Sequence, residues 1–535
     1  MRRGTGWAQL LGLMPLLALR CDCSTYGLGV ASEQGGTSTS DALTSTGVET
    51  VGPGSTAAAG STTTSAEDTS AGSELSGASS TTMAVCDLVP ACHRWVHEIG
   101  DVAVVDTDAY VAFDETGHVI LAGSFAGTVD FGKGDMTSVA ERDIFIARYN
   151  PEGALQWVNV FNTGKTNEYT RIRGVAAGPG GTIHVVGLTT YDIDLGNGTI
   201  NVSGSSDMLV AQYSPTGAAL WSRLIGQIGA EEGWHIALDG QQSVLAAGTF
   251  SGGNVDLGGG TRVLTGAQDA FVLKLDTTGG YQWDRHIGGV ADQVIRGMRV
   301  DQSDAVVVGG NFELALELDG NSLMSNSGWS DPFLLKMSSE GTHQWSKHLA
   351  SAVDNPRYLT GLAIGPNDSV VLAGWFAGSL GLGGVVKLNA ANYSPFVASL
   401  NRDGKPQWQH VFAIDAPTEI SVTTVGLGVA GDGAVWLGTT VHEPIDLMGG
   451  VLVARGGDDL VLGKYDANGE HLWSGRFGAP EPQRFTDLAV DSAGDVVVAG
   501  TFLGSFDLLE GVNLNSVGPE PDIFVTRFGP CEICE

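Results

Sequence analysis

The sequence predicts an all-β protein: a seven-bladed β-propeller with four-stranded blades, its ring closed by N- and C-terminal strands that share the last blade. Three observations predict it. Trp95, Trp157, Trp221, Trp283, Trp345, Trp408 and Trp473 recur at intervals of 62, 64, 62, 62, 63 and 65 residues. Such a period marks stacked supersecondary units, each burying its apolar faces only against its neighbours. Every unit carries two pairs of β-rich runs around turn signals, which makes four strands. Finally, the chain enters on half of a hairpin and leaves on the other half.

The first hairpin of a unit reads VAFDETGHVILAGSF at 111–125 or DLAVDSAGDVVVAGTF at 487–502, and the second reads DIFIARYNPEGALQW at 143–157. An Asp stands fourteen residues before the Trp at Asp143, Asp207, Asp269, Asp331 and Asp459, and a Gly four before it at Gly153, Gly217, Gly279, Gly341, Gly404 and Gly469. Ser394 interrupts the Asp series. Gly suits a turn position that needs positive φ. The Trp begins the outgoing strand, where its large ring can fill the space between sheets as structural cement. Runs such as VVVAG and FVLKL are apolar at nearly every position, as in strands covered on both faces. Blades packed face to face in a ring provide that cover. A β-solenoid is the structural alternative, but its coils use a much shorter repeat.

At the closure point, CHRWVHEIG (92–100) has no strand before it in its hairpin, and DIFVTRF (522–528) has no Trp strand after it. The Trp95 strand is therefore expected to complete the final blade beside residues 522–528, removing an exposed sheet edge. Cys86 and Cys92 precede one half and Cys531 and Cys534 follow the other. These four are disulfide candidates placed where the other blades have a covalent turn, and their three pairings stay open. A bond spanning the ring would stabilise by up to about 6 kcal/mol in the chain-entropy picture. The C-x-x-C at Cys531 and Cys534 could instead serve redox chemistry or half a zinc site, although neither a βαβ context nor a second C-x-x-C accompanies it.

Residues 1–20 read as a signal peptide, with Arg2 and Arg3 ahead of the apolar run WAQLLGLMPLLAL. That run is short for a bilayer span. Cys21 directly follows, as in a bacterial lipoprotein signal, and is the lipidation candidate. Arg20 departs from the Gly, Ala or Ser of that cleavage motif, and Cys21 and Cys23 could otherwise sit in an oxidised tail. Residues 21–85 form a Ser/Thr/Gly-rich tether without the means to build a core, and residues 86–535 form the propeller. The expected address is the outer membrane or cell surface, or else secretion or the periplasm. The membrane would be met only through a lipid anchor, and the chain is expected to be a monomer. Acidic residues outnumber basic ones 60 to 27, a formal charge of −33. This argues against nucleic acid, whose phosphates require clustered Lys and Arg.

The pattern VDSAGDVVVAGTF followed by DxFVxKxxxxGxxxW extends over about residues 92–528 and resembles the bacterial β-propeller repeats known as SBBP repeats. The signal and tether are similar to those of predicted myxobacterial surface lipoproteins. The resemblance implies a propeller at the cell surface with a binding role and no defined reaction.

No catalytic signature emerges from the repeats. Sialidase-type Asp boxes place Gly three residues before Trp, whereas here it stands four before. LDTTGGYQW resembles a quinoprotein turn, but those rings are usually eight-bladed. There is no H-E-x-x-H, no G-x-S-x-G elbow and no D-x-D-x-D-G calcium loop. VDLGGG (255–260) aligns with VDFGKG (129–134) as an ordinary blade connection. His286 and His348 fall three residues after a Trp, and His97 and His410 two after, positions that suit half-exposed structural histidines. No cofactor, no metal and no catalytic residue is expected. The units also keep nearly one length, leaving no room for an inserted lid.

A site, if present, belongs at one mouth of the central channel, on the variable loops that lead from each Trp strand into the next blade. There Arg173, Trp234 and Arg296 occupy equivalent positions and are expected to approach the axis with Arg171, Glu232 and Arg484. Guanidinium groups, a carboxylate and an indole together could hold a carbohydrate or an anionic peptide group. They could equally form channel salt bridges around ordered water. The leading expectation is a noncatalytic binding or scaffold module for an unidentified surface protein or glycan. A polysaccharide hydrolase or lyase would require paired carboxylates about 5–10 Å apart at the mouth. A purely structural envelope protein would plug the channel with apolar side chains.

Overall fold

The computed structural model describes residues 92–530, apart from 101–107, 140–141, 163, 166–168, 326–328, 350–354, 384–386, 415–424 and 510–511. The signal peptide, the tether, Cys21, Cys86, Cys531 and Cys534 lie outside the described residues. The described chain is a seven-bladed propeller built from seven four-stranded antiparallel sheets. The first blade takes Asp108–Phe113, Val119–Phe125, Asp143–Tyr149 and Leu155–Phe161, in that order from the axis outward. The seventh takes Gln483–Val490, Val496–Phe502 and Asp522–Gly529, and its outermost strand is Cys92–Ile99. Trp95 pairs with Arg527 and Ile99 with Ile523, so the two ends of the chain close the ring as the repeat pattern predicts.

Middle strands are buried along their full length, as in VILAGSF and DMLVAQY. Alternation explains why. Val119 and Leu121 pack with Val497 and Ile523 of the seventh blade, while Ile120 and Ala122 pack with Ile172 and Ile183 of the second. Successive side chains on a strand point to opposite faces, so each blade is one wall of two separate cores. Each fully buried aliphatic contributes roughly 1.5–3 kcal/mol.

The repeated Trp side chains join neighbouring blades. Trp95, Trp157, Trp221, Trp283, Trp345 and Trp408 donate their indole N–H to Pro151, Pro215, Thr277, Ser339, Arg402 and Ala467 carbonyls, at 2.9 to 3.3 Å. Each acceptor lies in the outer hairpin turn of the next blade. The ring rests on the turn glycine there; a Cβ on Gly217, at φ +84°, would come within 2.9 Å of Trp157. His97 and His410 reach the carbonyls of Gly153 and Gly469 beside two of these turns. His286 and His348 instead bind the opening Asp of their own blade, Asp269 and Asp331, at 2.7 and 2.8 Å.

Cations on third strands add a second inter-blade link. Arg148, Lys274 and Arg527 bridge a buried Asp in their own blade (Asp114, Asp239 and Asp495) and a carbonyl in the next. Arg527 donates to Gly117 and Pro151 of the first blade, reinforcing the closure.

The segment between the second and third strands, read from sequence as a plain connection, forms a small two-stranded ribbon in six blades. VDLGGG is one of its turns. Asp256 Oδ1 accepts the N–H groups of Gly258 and Gly260, as Asp130 does for Gly132 and Gly134. In the fifth blade, where Ser394 replaces the Asp, the ribbon merges into one long hairpin of Val370–Gly381 and Lys387–Leu400. Two short 3₁₀ turns, Pro179–Gly181 and Pro366–Asp368, are the only helical elements among the described residues.

Candidate functional site in the central channel

The innermost strands of all seven blades surround a cavity of about 790 Å³ on the ring axis. In five blades that strand carries a β-bulge. The register slips between Ile172 and Gly174, Gly233 and His235, Ile295 and Gly297, Leu359 and Gly361, and Phe485 and Asp487. The extra residues are Arg173, Trp234, Arg296, Thr360 and Thr486, and each of them lines the cavity. A bulge re-aims side chains that the strand's alternation would otherwise fix.

The motif that permits the bulge is visible in the second strand. A Cβ on Gly187, Gly248, Gly310, Gly374 or Gly500 would overlap the carbonyl oxygen of Arg171, Glu232, Val294, Tyr358 or Arg484, respectively. The glycine in runs such as LAAGTF therefore accommodates the displaced backbone of its bulged neighbour.

Of the six residues expected at the mouth, the structure brings Arg173, Trp234 and Arg296 into the cavity lining, and Arg171, Glu232 and Arg484 are not part of it. The bulge supplies the reason: it inserts one residue between the latter group and the strand positions facing the axis. Arg484 is largely exposed and pairs with Asp458 at 2.8 Å. Arg171 lies over the Tyr169 ring at 4.6 Å. Arg173 covers the Trp234 ring at 4.2 Å and donates to the Tyr169 hydroxyl at 3.0 Å. Lys165 over Tyr191, at 5.9 Å, extends this run of stacked cations and aromatics along the second blade.

Below the mouth lie residues that sequence reasoning missed. His235, Arg299 and Asp487 also line the cavity. Burial, with Arg299 and Arg296 nearby, pushes His235 down to about 3, so it is neutral at physiological pH. Burial pushes Asp487 up to about 6, against the opposing influence of the Val111 N–H at 3.0 Å and of Arg299. Burial also lowers both Arg296 and Arg299 from the ordinary guanidinium value. Nothing distinguished these positions in the sequence, because Arg299 and Asp487 come from different blades.

The cavity carboxylates are Asp487 and Asp491. Asp491 is engaged in its own turn, accepting the N–H groups of Ala493 and Asp495 at 2.9 Å, and lies 3.7 Å from Arg527. The remaining lining mixes glycine with aliphatic residues such as Ile236, Leu362 and Leu427. A second cavity of about 600 Å³ lies on the flank of the third and fourth blades. Both of its arginines are paired within it, Arg262 with Asp284 at 2.5 Å and Arg285 with Asp319 at 3.6 Å. Among the described residues, no group of three or more His, Cys, Asp or Glu side chains is arranged to hold a metal ion.

No family model matches the chain. It is 23% identical over 334 residues to the uncharacterized WD repeat-containing protein L264 of Acanthamoeba polyphaga mimivirus, a match spanning 50% of this chain and 24% of that protein. Among solved structures, the WD40 domain of Neurospora crassa Pan2 superposes with a TM-score of 0.38 and 10% identity, covering 83% of this chain and 98% of that one. Virginiamycin B lyase from Staphylococcus aureus, as its inactive H270A form with quinupristin, gives 0.37 and 8%, covering 81% and 99%.

Proposed function

We propose that the protein is a noncatalytic binding or scaffold module, an SBBP-type propeller presented at the cell surface, which recognises a protein or glycan partner at the channel mouth. The observation that carries this reading is the cluster on the bulges. Arg173 stacked on Trp234, with Arg296 on the next blade but one, sets two cations and an aromatic face on a rigid frame. Rigid strands hold a recognition surface more closely than loops do, and guanidinium and indole groups are the side chains that most often dominate interfaces.

Export, lipid attachment at Cys21 and a monomeric state belong to the same proposal and rest on the N-terminal sequence. A hydrolase or lyase needs two carboxylates free to act on one bond. Asp491 is already occupied by its turn and by Arg527, which favours the noncatalytic reading.

The test is a pull-down of cell-surface protein and glycan fractions on the purified full-length chain, beside Arg173→Ala, Trp234→Ala and Arg296→Ala. Saturable capture weakened at least 10-fold by two of the three variants is expected. Capture that all three variants leave unchanged would move the recognition surface elsewhere, and turnover of a captured glycan would restore the enzymatic reading.

A further inference from the structure

Three guanidinium groups line the channel without an ion pair to any described carboxylate. Lys274, Lys336, Arg357, Arg476 and Arg527 all form ion pairs with buried aspartates at 2.5 to 2.7 Å. Arg173, Arg296 and Arg299 form none with any described carboxylate. Arg299 donates to the carbonyl of Met298, within its own strand, at 2.9 Å. Arg173 donates to the Tyr169 hydroxyl, and its Nε is buried without a partner. In a chain with 60 acidic residues and 27 basic ones, the supply of anions for these three was ample and was not used.

Such an arrangement is costly. Arg173 and Arg299 are half-buried and Arg296 is more open, so each gives up part of its hydration with no ion pair to offset the loss. Of the two carboxylates of the cavity, Asp487 attracts Arg299 without forming an ion pair with it and accepts the Val111 N–H, and Asp491 is held by its own turn. The three cations are held together by two consecutive residues of the third blade. Arg173 covers Trp234, while both Arg296 and Arg299 lie close enough to His235 to oppose its protonation. His235 therefore adds no further positive charge and can donate or accept a hydrogen bond.

We infer that this cavity is the seat of an oxyanion, a carboxylate or phosphate group carried by the ligand, gripped by Arg173, Arg296 and Arg299 beside Trp234 and His235. Guanidinium forks match such planar or tetrahedral oxygens with paired hydrogen bonds, and the surrounding glycine and aliphatic lining keeps the dielectric low enough for them to count. The inference deepens the binding reading given above and rests on it for the location of the ligand. It adds the chemical class of the group that enters the channel.

The test is titration of the full-length chain, followed by Trp fluorescence and calorimetry, with inorganic phosphate, galacturonate, and a tripeptide bearing a free or an amidated C-terminus. Saturable binding of at least one oxyanion is expected, weakened 10-fold or more in Arg299→Met and less in Arg299→Lys. Phosphate, uronate and the free-acid peptide then separate the sources, and the amidated peptide should not bind. A response that fails to saturate, or that Arg299→Met leaves intact, overturns the inference. Partner capture persisting without anion binding would sink the oxyanion seat alone. Anion binding persisting without partner capture would sink the mouth reading alone.

Discussion

Arg357 of the fifth blade donates to Asp331 Oδ1 of the fourth at 2.6 Å, and neither side chain is reached by solvent. Glu231 holds the position of Arg357 two blades earlier: each faces the Phe of its second strand, Phe250 or Phe376. Its neighbour across the interface is Asp207, the counterpart of Asp331. One boundary thus carries a cation and a carboxylate, and the other carries two carboxylates. A Cβ on Gly226 would lie within 2.6 Å of both, and Asp207 Oδ1 and Glu231 Oε1 are buried without partners.

This pair makes stability depend on pH near neutrality. Burial, helped by the charge of Asp207, pushes Glu231 up to about 7 from an ordinary value of 4.5. A carboxyl raised in the folded state binds its proton more tightly there than in the unfolded chain. Its burden is absent below the unfolded value and grows as pH rises through the folded one, to about 3 kcal/mol at most. Glu231→Gln is expected to raise the urea midpoint over wild type at pH 8 and to leave it nearly unchanged at pH 5. An equal effect at both pH values would show that the pair does not titrate in this window.

Trp157 donates to the Pro215 carbonyl at 2.9 Å and its ring covers Gly217. Trp157→Phe, which keeps most of the ring and loses the donor, should cost about 0.5–1.5 kcal/mol. Trp157→Ala should cost about 3–5 kcal/mol. Gly217→Ala, destabilising in wild type through both the contact and its positive φ, should be partly relieved in Trp157→Ala. Strict additivity of the two changes in denaturant melts would argue against the contact.

Gly248→Ala tests whether the second strand sets the bulge that aims Trp234. Its new Cβ would collide with the Glu232 carbonyl, and the backbone must shift at a cost of about 1–3 kcal/mol. The Trp234 contribution to fluorescence should change, measured as the difference from the same substitution made in a Trp234→Phe background. Identical difference spectra with and without the alanine would separate the glycine from the site.

Cys92 opposes Gly529 at the start of the strand pair that closes the ring, where Arg94 donates to the Pro530 carbonyl at 3.0 Å. Peptide mapping of the unreduced protein is expected to link Cys92 to Cys531 or Cys534. Cys92→Ser should lower stability by roughly 2–5 kcal/mol and release the outer strand of the seventh blade first, detected as early hydrogen exchange across residues 92–99. A link to Cys86, with protection of that strand retained in Cys92→Ser, would leave the closure to hydrogen bonds and packing.

Much of the fold was legible because it is local and repeated. The Trp spacing, the turn glycines and the alternation of apolar residues are all set within one unit of chain, and seven copies average away the exceptions. Strand count, blade order and the shared last blade follow from those signals alone. The equivalence of Arg173, Trp234 and Arg296 was legible for the same reason.

What those residues face was settled only by the closed ring. A β-bulge is a one-residue shift in register between paired strands, which periodicity cannot reveal. It separates Arg173, inside the cavity, from Arg171, outside it. The meeting of His235, Arg299 and Asp487 depends on three blades enclosing one axis, and the Glu231–Asp207 pair depends on two blades packing face to face. Each blade can be read from its own stretch of chain, because hydrogen bonding and burial within a unit are short-range. Which charges share a low-dielectric space emerges in the folded ring, because residues from separate blades meet there around the channel.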